Sequence, residues 1–510
     1  MTYLVEITAI TDAIGTSTVL RYATDAYNTG PSDSPANANY DARLQDPGSI
    51  KRDMFSDRTT SGQSRIGFGD IVLINNDGGL DGISMHGFDG QPVVLRFGAD
   101  NAAYPGGFAT VFSGTIATAE FDLGKVVIKV RDKLEQLNLP VAATRYAGNN
   151  ALPAGLEGTT DNIKGQPKPR AYGTLKNISP VYVNTSKLTY QVHNGTVLDI
   201  VAVYDRGSSI TKGADFATSA LLQAASPAAA TYITCFAEGY FRLGSTPAGQ
   251  ITADVTQGAA AANRTAAQIL KQLALDVGLP AGDISAADVT ALDTANSAEL
   301  GLWVSDDSAA LSALDEVAAS VGAWYGFDRT GVLRMGRVIA PAGTPAAVLT
   351  TLEVVQIERL PSNDTGKGLP IWRATVNYAK NYTVQPSDLA GAVTATTRAY
   401  LALGVRGEQT EDAAIKIKHK LAPEMTRDTL IVTQAAAATE AARLLALHKV
   451  ERETYQVDVW LDTALAQSLD LGNVVSLAYP RFGLTAGKLF IVTGIDADFA
   501  RGKLKLTLWG

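Results

Sequence analysis

Residues 65–97, RIGFGDIVLINNDGGLDGISMHGFDGQPVVLRF, constrain the fold more than any other stretch of the chain. Ile71 and Leu73, then Val93 and Leu95, repeat aliphatic residues at period two, the spacing of a strand with one buried face. Asp77-Gly78-Gly79 and Asp89-Gly90 supply turn residues between them, so the stretch reads as strand, long turn, strand. Strands need partners, and 108–114 (FATVFSG), 115–122 and 125–130 (KVVIKV) continue the rhythm. A spacing of about 10 residues between turns is that of an antiparallel sandwich or barrel.

Residues 3–10 (YLVEITAI) and 18–22 (TVLRY) read as the opening strands of this barrel. The polar segment 23–57 mixes Pro, Gly, Asn and Asp, and Tyr27, Tyr40 and Phe55 are expected to pin it as an interaction element against a neighbouring subunit, with disorder as the alternative. RDKLEQLNLPV (131–141) reads as a short helix closing the barrel, and residues 164–170, with two prolines, as an extended connector. A second β-rich region follows to about Gly258. Ala266, Ile269, Leu270, Leu273 and Val277 then form one helical stripe, with Asn263 as expected cap and Gly278 and Pro280 as stop. A second helix with Ser305 as cap leads into a hairpin turning at 328–331. QAAAATEAARLLALHKV (434–450) is helical by composition, and Tyr455, Val457, Val459 and Leu461 alternate on one strand face. Three strands joined by glycine turns end the chain.

The fold class expected is therefore α+β and β-rich, with two tube-like antiparallel barrels and intervening β-rich and helix-hairpin domains. The expected segments are 1–146 for the first barrel, 147–262 for the β-rich middle, 263–345 for the helix-helix-hairpin unit, and 346–510 for the second barrel with 381–429 as a candidate insertion. Four segments suit 510 residues at roughly 100–200 per domain.

The net charge of −8 argues against a general nucleic-acid or anionic-membrane binder. Cys235 is the only cysteine and stands in an apolar run, so it reads as a buried thiol, and no disulfide forms within one chain. The N-terminus lacks the features of a secretion signal and no apolar run approaches the ~18 residues of a membrane span, so folding in a cytoplasm is expected. His86, His193, His419 and His448 fit no metal spacing. Gly67-Phe68-Gly69 lacks the third glycine and helix of a dinucleotide loop, and Ser84 lies outside a GxSxG elbow. Residues 75–81 invite a calcium reading, but Leu80 stands where an EF-hand requires glycine. No catalytic, cofactor or metal residues are assigned and no enzyme activity is expected. The loop from Asn75 to Gly90 is instead expected to meet a subunit or partner ring through Asp77, Leu80, His86 and Phe88.

The element order, together with FSGTI at 112–116 and VVIKVRDKL at 126–134, YGFDRTGVLR at 325–334, and VTGIDADFARGKLKLTLWG at the C-terminus, resembles the tail hub (baseplate hub or tail tip) proteins of tailed bacteriophages and gene transfer agents. The resemblance implies two tube-like barrels per chain, so that three chains make a pseudo-sixfold ring at the virion tail tip. Implied partners are a distal tail or tail tube protein and a spike or fibre protein, with DNA passing through the lumen without specific binding. The alternative expectation is a host-surface carbohydrate-binding (receptor-binding) or distal tail protein, which exposed aromatics on the strands between 180 and 260 would favour.

Overall fold

A computed structural model describes residues 2–55, 62–63, 65–131, 133–151, 154–361, 369–460, 465 and 469–510. Strands hold 40% of the residues and helices 17%, so the chain is α+β and β-rich, with several curled half-barrel sheets. Asp132 and Leu461, both used in the sequence reading, lie outside the described residues.

The first sheet has seven strands in the order Ser17–Ala23, Thr2–Ile10, Pro92–Gly98, Phe108–Phe121, Lys125–Arg131, Ile71–Ile74, Leu44–Asp46. Its alternation buries Val5, Ile7, Ile71, Leu73, Val93, Leu95, Val126 and Ile128 on one face. Strands Ile71–Ile74 and Pro92–Gly98 form as read from sequence, but not as a hairpin. The first pairs with Lys125–Arg131, and the second pairs with Thr2–Ile10 and Phe108–Phe121. The loop between them folds into a 3-10 helix, Asp81–Met85, and buries Leu80 and Phe88, so it crosses the end of the sheet instead of closing a turn. Residues 108–121 likewise form one strand, not two, because the pairing runs on through bulges at Val111 and between Ile116 and Thr118.

Strand Leu44–Asp46 completes the first sheet, and the chain then passes through Gly48 into strand Ser49–Asp53 of a different sheet. Gly48 has φ +85°, and a Cβ there would stand 2.9 Å from the Gly69 carbonyl, so this crossing requires glycine. Ser49–Asp53 pairs with residues 494–498 of the second barrel, whose strands run Ala347–Leu349, Val474–Leu477, Lys488–Asp498, Lys503–Trp509, Thr454–Trp460, Val354–Leu360. Tyr455, Val457, Val459, Phe490, Leu506 and Leu508 are buried there, in one hydrophobic cluster continuous with the first barrel's core.

Nine strands between Arg170 and Val304 form the middle sheet. Its edge strand, Gly301–Val304, comes from beyond residue 262, so its pairing joins the segments 147–262 and 263–345, as the pairing of Ser49–Asp53 joins 1–146 and 346–510. The helices Ala266–Asp276, Ala286–Ala295 and Ala310–Val321 pack with the hairpin Ala323–Phe327/Leu333–Arg337. The same core takes in helix Gln434–His448 and the three-stranded sheet of Arg373–Tyr378, Arg406–Glu411 and Glu424–Asp428. Residues 406–428 of the segment 381–429 therefore lie beside this helical core, whereas Asn381, Thr383 and Asp388 bond to Asn177 and Arg206 of the middle sheet.

Local signals were displaced in three places. The first helix is capped by Thr265, whose hydroxyl accepts from the Gln268 amide, and not by Asn263. The third begins after Ala309 and not at Ser305, because Asp306 uses its carboxylate to accept from the Ser308 amide in a turn before the helix. Residues 133–137 form a 3-10 helix whose Leu137 enters the helical core rather than closing the first barrel.

Candidate assembly surface

At one end of the first barrel three connections meet. They are the turn between Thr2–Ile10 and Ser17–Ala23, the loop 75–91, and the turn between Phe108–Phe121 and Lys125–Arg131. Ile10 and Gly87 exchange backbone hydrogen bonds at 2.9 and 2.8 Å, and the Asn75 amide donates to the Gly124 carbonyl at 2.8 Å, so the three form one rim. Asn75 organises it from inside. Its buried carboxamide accepts from the Leu80 amide at 2.7 Å and donates to Asp81 Oδ1 at 2.8 Å. Side-chain amide bonds thus stand in for backbone pairing in this glycine-rich loop.

Asp77 is exposed but engaged. Arg43 Nη1 and Nη2 each donate to its carboxylate at 2.8 Å, and the Gly79 amide donates to it at 3.0 Å. The hydrogen bonds from Arg43 hold the Asp77 carboxyl well below the usual carboxylate range. Leu80 and Phe88 face the barrel's own core. His86 is half-buried 6.5 Å from the Phe88 ring, and its Nδ1 is buried with no hydrogen-bond partner among the described residues. Ser84 Oγ donates to the Asp81 carbonyl at 2.6 Å, a local turn bond.

Tyr27 and Tyr40 lie elsewhere, paired across a two-residue ladder in a satellite cluster with Leu4, Tyr104 and Phe108. The Tyr27 hydroxyl donates to the Ala102 carbonyl at 2.8 Å, and the fully buried Tyr40 donates to Glu6 Oε1 at 2.6 Å. Burial raises the Tyr40 pKa, with the bond to Glu6 adding to it. Phe55 is half-buried against the shared core. The seven residues singled out from sequence therefore do not converge: four share the rim, and Tyr40, Leu80 and Phe88 are covered by their own chain.

The residues that sequence reading missed are the rim's tips. Ile14 is 91% exposed, Met85 87% and Leu123 93%. Asp12 shapes the first tip by accepting from the Ile14 and Thr16 amides at 3.1 and 2.9 Å, and Asp122 shapes the third by accepting from the Leu123 amide at 2.7 Å. The hydrogen bonds with Thr16 lower the Asp12 pKa, which keeps the carboxylate ionised. The available signal was an aliphatic residue enclosed by turn formers, Asp12-Ala13-Ile14-Gly15 and Asp122-Leu123-Gly124.

Elsewhere the reactive residue types have structural settings. His193 accepts the Ala171 amide on Nδ1 at 2.8 Å, and burial pushes its pKa down to about 4. Cys235 is buried, and that burial raises its thiol pKa. Among the described residues no group of three or more His, Cys, Asp or Glu side chains could hold a metal ion. No helix of the described residues is long and apolar enough to cross a membrane.

Neither a family model nor a curated protein sequence matches the chain. Solved structures do align with it. A tail protein from Neisseria meningitidis MC58 aligns at 12% identity and TM-score 0.44, over 100% of this chain and 96% of that one. The prophage MuSo2 43 kDa tail protein from Shewanella oneidensis aligns at 11% identity and TM-score 0.41, over 100% and 98%. A chain of the native gene transfer agent virion aligns at 15% identity and TM-score 0.43, over 68% and 85%. The structural neighbours of this chain are thus tail proteins and a virion component.

Proposed function

We propose that this chain is the structural hub of a phage tail tip or baseplate, and that three copies form a pseudo-sixfold ring between the tail tube or distal tail protein and a central spike or fibre. The observation that carries this reading is the strand Ser49–Asp53, which leaves the first barrel and pairs within the second. It welds two barrels into one body with one continuous core, so each chain offers two ring-building modules at a fixed spacing. Three such chains supply six modules. The lumen they enclose conducts DNA without reading its sequence, and the chain's net charge of −8 favours passage of phosphate over retention.

The carbohydrate-binding alternative gains little from the middle sheet. Its ring stack of Tyr182, Tyr190 and Phe241, with centroids 4.4 and 5.1 Å apart, has Tyr190 and Phe241 buried, and Tyr232 and Tyr240 are buried too. Mass photometry of the full chain, alone and with the neighbouring tail proteins, tests the hub reading. A trimer is expected, and a chain that stays single in every mixture overturns it.

A further inference from the structure

Two surfaces of this chain expose aliphatic side chains amid opposite charge. The first is the rim, where Ile14, Met85 and Leu123 project among the exposed carboxylates of Asp12, Asp81, Asp89 and Asp122. Asp77 adds no free charge because Arg43 covers it. The second is residues 415–421, IKIKHKL, where Ile417 is 82% and Leu421 91% exposed. Lys416, Lys418 and Lys420 are interleaved with them and exposed. Lys416 lies 3.4 Å above the Trp372 ring and Lys418 reaches the exposed Glu451 at 3.5 Å, so the segment is anchored at its start and solvated beyond. Side chains this exposed, gathered at one place, mark contact surfaces more often than scattered single ones do. The two patches match in chemistry: aliphatic tips within carboxylates face aliphatic tips within ammonium groups.

We propose that the first-barrel rim docks residues 415–421 of a second copy of this chain. Ile417 and Leu421 seat among Ile14, Met85 and Leu123, while Lys418 and Lys420 face the rim's aspartates and Lys416 stays on the Trp372 ring. The proposal rests on the ring reading above and supplies the contact between neighbours. The rim ends the first barrel whereas 415–421 borders the sheet of Arg373–Tyr378, so each copy offers both halves and the contact is head-to-tail, the kind that closes a ring. The carboxylates disfavour the other occupant of an apolar rim, an anionic membrane surface.

Sedimentation velocity of the full chain across concentration tests this. Ile14→Asp with Met85→Asp and Leu123→Asp, or Ile417→Asp with Leu421→Asp, should each raise the dissociation constant at least about tenfold while the melting temperature holds. Lys418→Glu with Lys420→Glu should weaken association similarly, and adding Asp89→Lys with Asp122→Lys should restore it. A wild-type trimer that no variant disturbs overturns the docking and leaves the ring reading standing. Association that the variants abolish but that yields dimers or filaments supports the docking and overturns the trimer. A wild type that never associates overturns the docking, as does flotation with phosphatidylglycerol vesicles that the rim substitutions abolish.

Discussion

The two barrels share a plan and differ in how they end. Each is built on a long bulged strand, Phe108–Phe121 shifting at Val111 and again between Ile116 and Thr118, and Lys488–Asp498 shifting between Val492 and Gly494. The first barrel's sheet comes entirely from residues 2–131, and one of its ends is left as a rim of loops with exposed tips. The second takes a strand from residues 49–53 and is gripped by the rest of the chain. His448 packs on Trp509, Arg452 lies over the same ring, and Gly472 sits against Trp324. The second barrel is thus braced internally, whereas the first leaves the tips of one end exposed.

Arg52 is where this contrast breaks most visibly. Its side chain is 8% exposed, pairs with Asp470 and donates from Nη2 to the Phe327 carbonyl at 2.6 Å. Arg52→Ala should cost about 3–5 kcal/mol, because it strands polar groups where the borrowed strand meets the second barrel and the hairpin. Urea unfolding should show a single transition moved to lower denaturant. Two separated transitions would mean that the barrels fold independently and that the borrowed strand does not weld them.

Acid should loosen the second barrel's brace next. His448 is buried with Nε2 unpartnered among the described residues, and burial, with nearby Arg443, Arg427 and Arg452 adding to it, pushes its pKa down to about 3. The unfolded imidazole takes a proton below about pH 6.5, whereas the folded one stays neutral until about 3. Its contribution is thus intact above about 6.5 and is lost as pH falls from there towards 3, at up to about 1.4 kcal/mol per pH unit. His448→Leu should flatten the stability profile between pH 6.5 and 5 by about 2 kcal/mol in total. An unchanged slope refutes the assignment.

The direct contact between barrels is smaller. The buried Tyr3 hydroxyl donates to the Phe499 carbonyl at 3.2 Å, and the two rings lie 5.7 Å apart. Tyr3→Phe should lower stability by about 1 kcal/mol, read as a drop in melting temperature without a change in oligomeric state. The rim should respond least. Ile14→Asp, Met85→Asp and Leu123→Asp should each alter monomer stability by no more than about 0.5 kcal/mol, since their side chains are already solvated. A large loss at any of them would show that the rim supports the fold rather than facing a partner.

Local chemistry in the sequence determined the strand faces and most element types. Period two at Ile71, Leu73, Val93 and Leu95 marked buried faces, the stripe from Ala266 to Leu273 marked a helix, and Asp328 to Gly331 marked a turn. Each depends on residues close in the chain and on general backbone preferences. The tertiary structure alone decided the partners. Strand Ile71–Ile74 finds Lys125–Arg131 and not its neighbour in sequence, and Ser49–Asp53 finds a strand more than 400 residues away. A strand's alternation specifies which face is buried but not which edge is met, because backbone donors and acceptors are the same in every strand. The same reason hid the rim. Leu80 and Phe88 looked as available as Met85 in the sequence, and only the packing of the barrel end chose which would be covered and which would be left exposed.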